Sequence, residues 1–335
     1  MIAMSVPERE QPQGTVVASS ARSVHAVHCC IREHTGLTVL AATPELLAAN
    51  EDWRLLVVDE VGTGPTLADL LLTGHDGATS WDGASCWAEA FGAMPAGAVH
   101  RAAERGSRLD RVGSGDLTAL VLRAGITRLA TFVGASPDGP RVQTELTRAA
   151  RVLAAACEEH QGAAIAGCPG DVGVDPVTGA AADWRFVASE DMSVRNLAHD
   201  AGVLVMPFTT RWCVFDPADG LPGAVIGRFS TALSPLPPVV VEMPRWRPSV
   251  DLASAAWLVA MHAWLLGSLD ANWPRVRPSE RGVLSARRLV MAVWRWGAVH
   301  LSPTTPALAD LCARALVRGE REWGTVAATR RLALV

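Results

Sequence analysis

Strand-like and helix-like stretches alternate through the first sixty residues, and this alternation constrains the fold more than any other feature of the chain. "TVVAS" (15–19) reads as a strand, and "ARSVHAVHCCIREHTG" (21–36) as a helix closed by a C-terminal glycine. "LTVLAAT" (37–43) reads as a second strand, "PELLAANEDW" as a short helix opened by proline, and "RLLVVDE" (54–60) as a third strand. Strands separated by helices imply a parallel sheet, because a parallel pair needs a long crossover. An α/β domain is therefore expected over residues 15–104. The polar stretch 1–14 is expected to be a disordered lead-in.

Helices are expected at "ASCWAEAFGA" and "GAVHRAAER". A linker follows over 105–120, centred on the polar, Gly- and Ser-rich "RGSRLDRVGSGD" (105–116). A second α/β unit is expected over 121–335. It has a strand at 129–133, a helix at 142–160, and strands at 162–167, 184–189, 203–208 and 238–244. The last, "PVVVEMP", is a continuous β-branched run of the kind buried on both faces of a parallel sheet. The tail reads as helical and carries Trp257, Trp264, Trp294, Trp296 and Trp323. The longest apolar run, 252–269, is interrupted by His262 and flanked by Asp251 and Asp270, so a buried helix is expected there and not a transmembrane span.

Composition removes several chemistries. The chain of 335 residues has no lysine and no tyrosine, so every one of its 30 basic residues is arginine. Schiff-base chemistry, a Walker-A ammonium and a Tyr–Lys reductase pair are all excluded. A net charge of −4 gives no basic excess for nucleic acid. Seven cysteines form no CxxC pair and no targeting segment is visible, which points to reduced thiols in the cytoplasm.

Four constellations carry candidate chemistry. His25, His28 and Cys29 lie at i, i+3 and i+4 of one expected helix, but no second cluster completes a four-coordinate site, and no metal is expected. Asp59 and Glu60 end a strand, where a receiver domain keeps its phospho-acceptor, yet the first strand ends in serines and the required lysine is missing. Asp191 follows a strand and precedes a helix, as in PIN-type metal-dependent nucleases, with Asp175, Asp59 and Asp171 as co-ligands of a divalent cation.

The fourth is "GASPDGPRVQT", a glycine loop between an expected strand and helix, where a phosphate-binding loop would sit. Counting from Gly134 puts Gly139 in register and Pro140 at the lysine position. Shifting by one puts Arg141 there and Val142 at the Mg²⁺ hydroxyl. Either register loses at least two functional groups, and Asp138 adds negative charge. A small-molecule α/β enzyme using the helix N-terminus near Gly139 stays open.

The order of these features resembles the CpaE-like, septum-site-determining branch of the MinD/ParA superfamily. The stretch 15–60 falls on the family's receiver-like, flavodoxin-like half, and "TFVGASPDGPRVQTELTRAARVLAA" on its P-loop and first helix. "PPVVVEMPRWRPSVDLASAA" falls on the strand that usually ends Asp-Leu-Pro-Arg, with Glu242 in the aspartate's place, and "WGAVHLSPTTPALADLCARALVRGE" on the closing stretch.

The resemblance implies a receiver-like domain joined to a degenerate P-loop α/β domain with a parallel sheet. Gly134, Gly139, Arg141 and Glu242 would mark its decayed nucleotide site. It implies a non-catalytic pseudo-ATPase without a bound cofactor, weak nucleotide binding staying open. Its partners would be a pilus or secretion ATPase or cell-division proteins, and a homodimer stays open. It would act in the cytoplasm, or peripherally at the membrane or septum.

Overall fold

Helical periodicity, not strand alternation, organises this chain. In the computed structural model, residues 2–5, 14–18, 31, 33–38, 40, 43–50, 55–59, 67, 77–105, 119–159, 165–166, 172–174, 184–186, 193–194, 197–206, 220–233, 246–270 and 286–324 are described. Most of them are helical. The strands are short, and every pairing among them is antiparallel. The expected pair of parallel-sheet α/β domains, receiver-like and P-loop-like, is therefore corrected.

The N-terminal sheet has the order β1-β2-β4-β3. Its strands are β1 (Ile2–Ser5), β2 (Gly14–Ala18), β3 (Leu46–Asn50) and β4 (Leu55–Asp59). Strands were expected where β2 and β4 lie. The lead-in, expected to be disordered, contributes β1, paired with β2 from Ile2 opposite Ala18 to Ser5 opposite Thr15.

The second expected strand and the helix after it exchange roles. Leu37 and Thr38 are helical, and "LLAAN" is the strand β3. Only residues 51–54 separate β3 from β4, too few for a parallel crossover, so pairing with β4 overrides the helix preference of Leu and Ala. Leu56 and Val58 alternate into a small core with Leu37. Short pairs β5 (Ile165–Ala166) with β8 (Ser193–Val194), and β6 (Val172–Val174) with β7 (Trp184–Phe186), complete the described strands.

Eight long or medium helices follow among the described residues: α1 (Gly77–Arg105), α2 (Ala119–Val133), α3 (Pro140–Glu159), α4 (Leu197–Leu204), α5 (Leu221–Ala232), α6 (Trp246–Asp270), α7 (Ala286–His300) and α8 (Pro306–Trp323). The two helices expected around 84–105 are one, with Pro95 inside it.

In α2 the buried residues Leu122, Gly125, Ile126, Leu129 and Ala130 recur at helical spacing. The expected strand 129–133 is thus the last turn of an amphipathic helix. The expected strand 203–208 fails likewise: Val203 and Leu204 continue α4, whose buried Leu197, Ala198, Ala201 and Leu204 share the helical period.

Helix α6 is the hub, packing against α2, α3, α4 and α7. It contains the apolar run 252–269 and is buried on most sides, as such a run predicts. Each fully buried Leu or Val, such as Leu258, Val259 and Leu265, contributes roughly 1.5–3 kcal/mol. Two glycines bring its neighbours close. A Cβ on Gly125 would lie 1.9 Å from the Val259 carbonyl oxygen, and one on Gly202 2.8 Å from the Ser254 nitrogen.

A second core joins Trp87 and Phe91 of α1 to Trp184 and Phe186 of β7 and Phe229 of α5. It unites residues from both sides of the segment 105–120 that reads as a linker. Among the described residues no helix is long and apolar enough to cross a membrane.

Candidate functional site

The loop 134–139 was the leading candidate, and it joins helix to helix. Gly134 has φ 68°, and its N–H donates to the Thr131 carbonyl at 3.1 Å. The Ala135 N–H donates to the Ala130 carbonyl at 2.8 Å. These two bonds, with glycine in the left-handed conformation, make a Schellman motif that closes α2.

The other side of the loop opens α3. The Gly139 carbonyl accepts the Gln143 N–H at 3.0 Å, and Pro140 takes the first helical position, where a missing N–H costs nothing. Within the loop the Gln143 side-chain amide donates to the Pro137 carbonyl at 2.8 Å. The Asp138 N–H donates to the Ser136 hydroxyl at 3.2 Å, and Arg123 reaches Asp138 at 3.1 Å. Pro137, Asp138 and Pro140, which disqualify the loop as a phosphate cradle, are each used in a helix-to-helix connection.

The expected nucleotide residues therefore separate. Gly134 and Gly139 terminate and start helices, and Arg141 lies exposed on the first turn of α3. A methyl group at Gly139 would meet only the Ser136 oxygen at 3.6 Å, so no close approach demands glycine there. Glu242 lies outside the described residues, as do Asp171, Asp175, Asp191, His25, His28 and Cys29. Asp59 ends β4 in an antiparallel sheet, its N–H donating to the Glu45 carbonyl at 2.8 Å. Among the described residues no three His, Cys, Asp or Glu side chains gather at metal-binding distance.

The polar interior that the sequence did not reveal lies around α6, α7 and α8. His262 is fully buried. The Trp294 indole N–H donates to its Nε2 at 2.7 Å, and its Nδ1 lies 2.6 Å from the Leu258 carbonyl oxygen. Indole nitrogen can only donate and a carbonyl can only accept, so His262 must be neutral with its proton on Nδ1. Burial holds its pKa down at about 4. The nearby thiol of Cys312 is pushed up to about 12 by the same burial, so it stays protonated and inert.

Glu145 of α3 supplies a second buried contact. Its carboxylate accepts the N–H groups of Ala307 at 2.9 Å and Leu308 at 3.0 Å, the second and third positions of α8. Arg148, one turn further along α3, donates to the Thr304 carbonyl. Thr305, the N-cap residue, points its hydroxyl back at the Leu301 carbonyl and does not cap through its side chain. A carboxylate from another helix thus fills the capping role and meets the positive end of the helix dipole.

A cleft of about 110 Å³ opens where the start of α5, the N-terminal half of α6 and the end of α7 meet, lined by Gly223, Arg247, Asp251, Ser254, Trp296 and His300 among others. In sequence Asp251 reads only as the flank of an apolar run and Trp296 only as a tail tryptophan, because the lining converges from three distant segments. The local signal available was "DGLPG" (219–223), a helix start with glycine and proline but no Ser, Thr, Asp or Asn in the N-cap position.

Compared with known proteins, the chain matches no family model and is significantly similar to no curated protein.

Proposed function

We propose that the chain is a non-catalytic positioning or regulatory protein that acts through protein contacts. Its role would be like that of the CpaE-like septum-site-determining proteins, on a pilus or secretion ATPase or on cell-division proteins. The proposal takes this role from the order of motifs, and the parallel-sheet fold is no part of it. The observation that carries it is the use made of residues 134–140: glycines, prolines and Asp138 are all engaged in closing α2 and opening α3. A loop committed in this way joins helix to helix and lacks the lysine and hydroxyl of a phosphate-binding loop, which supports a reading without nucleotide hydrolysis. Action in the cytoplasm, or peripherally at a membrane or septum, belongs to the same proposal.

The test combines reciprocal co-purification from cells with an Mg·ATP assay on the purified chain. The expected result is enrichment of a pilus or secretion ATPase or a division protein, hydrolysis at background, and no appreciable thermal shift with Mg·ATP. Robust hydrolysis that disappears in Arg141→Ala would overturn the reading.

A further inference from the structure

Helix α8 buries one face and leaves an apolar strip on the other. Its inner face puts Leu308, Leu311, Cys312 and Ala315 into the core. On the outer face Ala313 and Val317 lie one turn apart, and Val317 is 56% exposed. Together with Val133, the last residue of α2, they line an open groove of about 590 Å³. An amphipathic helix that only faced water would carry polar side chains along this line.

The rim of the groove is basic. Arg314, Arg318 and Arg321 follow at i, i+4 and i+7, so they share one side of α8 over two turns, about 10 Å of helix. Arg314 gives its Nε to Asp310 at 3.2 Å, and Arg318 gives its Nε to Glu322 at 2.6 Å. The Arg318 guanidinium also lies 5.1 Å from the centre of the Phe132 ring, so it is oriented from two sides. Arg321 is exposed and has no ion-pair or hydrogen-bond partner among the described residues. Three arginines and one acid, Glu322, thus line a groove on a chain whose formal net charge is −4.

We infer that this groove docks an acidic amphipathic helix of a partner protein. The partner's apolar side chains meet Val133, Ala313 and Val317, and its carboxylates meet Arg314, Arg318 and Arg321. Charge complementarity selects the occupant: carboxylates at i, i+4 and i+7 of a helix match the spacing of the arginines, and guanidinium–carboxylate pairing fixes the register. A nucleic acid or an anionic membrane rewards a broad basic surface, whereas here three arginines border an apolar strip on an acidic chain. The inference rests on the proposed action through protein contacts and adds the chemistry of one contact.

A benzophenone amino acid placed at position 313 of the full chain and photolysed in cells tests this. The expected result is a crosslink to a protein segment with acidic and apolar residues at helical spacing. A fluorescein-labelled peptide of that segment should then bind the purified chain saturably, and more weakly as salt is raised. Binding should weaken at least tenfold in Arg321→Glu and severalfold in Val317→Ser. Both side chains are exposed, so both variants should fold, and circular dichroism checks that they do. Replacing one of the peptide's acids by arginine should recover affinity for the Arg321→Glu chain. No crosslink, a crosslink to lipid, nucleic acid or a neutral or basic segment, or equal binding in wild type and both variants, would overturn the inference. An acidic helix from a protein outside pilus, secretion and division assemblies would sustain the docking site and overturn the proposed cellular role. Co-purification of those proteins without a crosslink from position 313 would do the reverse.

Discussion

Helices α5 and α8 begin alike in sequence and differently in space. Each has proline in its first two positions, and neither N-cap residue caps through its side chain. At α8 the carboxylate of Glu145 closes the helix start from another element. At α5 no described side chain does so, and the helix start lines a cleft beside Arg247 and Trp296. The same division runs through α7, where Trp294 has its acceptor inside the core and Trp296, two residues on, has none among the described residues. One local pattern thus serves two ends. Closed by a buried acid it fastens helices together, and without one the helix start is left at the wall of a cleft.

Several substitutions sharpen that contrast. Glu145→Ala leaves the buried Leu308 N–H and the half-buried Ala307 N–H without an acceptor and removes two charge-assisted bonds, which should cost about 3 kcal/mol. A urea midpoint shift corresponding to less than about 1 kcal/mol would place Glu145 at the surface.

His262 gives the next largest effect, as a pH dependence. Its folded-state pKa is lowered to about 4 from 6.5, so at neutral pH both states are uncharged at this residue. As pH falls below 6.5 the unfolded chain takes up a proton that the folded chain refuses. Stability should therefore fall between pH 6.5 and 4 by up to about 3 kcal/mol from this residue alone. Subtracting the pH profile of His262→Gln from that of wild type isolates the contribution. Parallel profiles would mean that the imidazole is solvated.

Trp294→Phe leaves His262 Nε2 without its donor and should cost about 2 kcal/mol in the same urea experiment. Trp296→Phe removes an N–H with no partner among the described residues, so its cost should stay within about 0.5 kcal/mol. Equal costs for the two tryptophans would erase the distinction between core and cleft. Smallest of all, Gly139→Ala should change stability by no more than about 0.5 kcal/mol, whereas Gly134→Ala should cost about 1 kcal/mol because its φ is positive. A large loss at Gly139 would point to a close approach that the present packing lacks.

The helices that were legible in sequence are those whose apolar residues repeat over many turns. The helix of residues 140–159 and the buried helix around 252–269 were expected nearly where they occur. The errors share a cause: a five- or six-residue apolar window does not separate strand from helix. "LATFV" looks β-branched enough by itself, but extended back to Leu122 it shows Leu122, Gly125, Ile126, Leu129 and Ala130 on one face. "VLVMPF" is misread in the same way once detached from Leu197, Ala198 and Ala201. That error made the following loop look like a strand-to-helix turn, whereas the parallel sheet was expected from the alternation over residues 15–60, where β3 and β4 in fact pair antiparallel.

The polar contacts were illegible for a different reason. Glu145 and α8 are 162 positions apart, and His262 and Trp294 are 32 apart. A proline after "PTT" announces a helix start, but nothing local names the acid that closes it.

The central claim is that residues 129–141 connect two helices and do not cradle a phosphate. Site-resolved NMR chemical shifts of the Cα carbons over 129–133, recorded with and without millimolar Mg·ATP, test it most directly. The account predicts helical shifts that do not move. Extended-strand shifts at 129–133, with Gly134, Gly139 and Arg141 moving on addition of nucleotide, would contradict it.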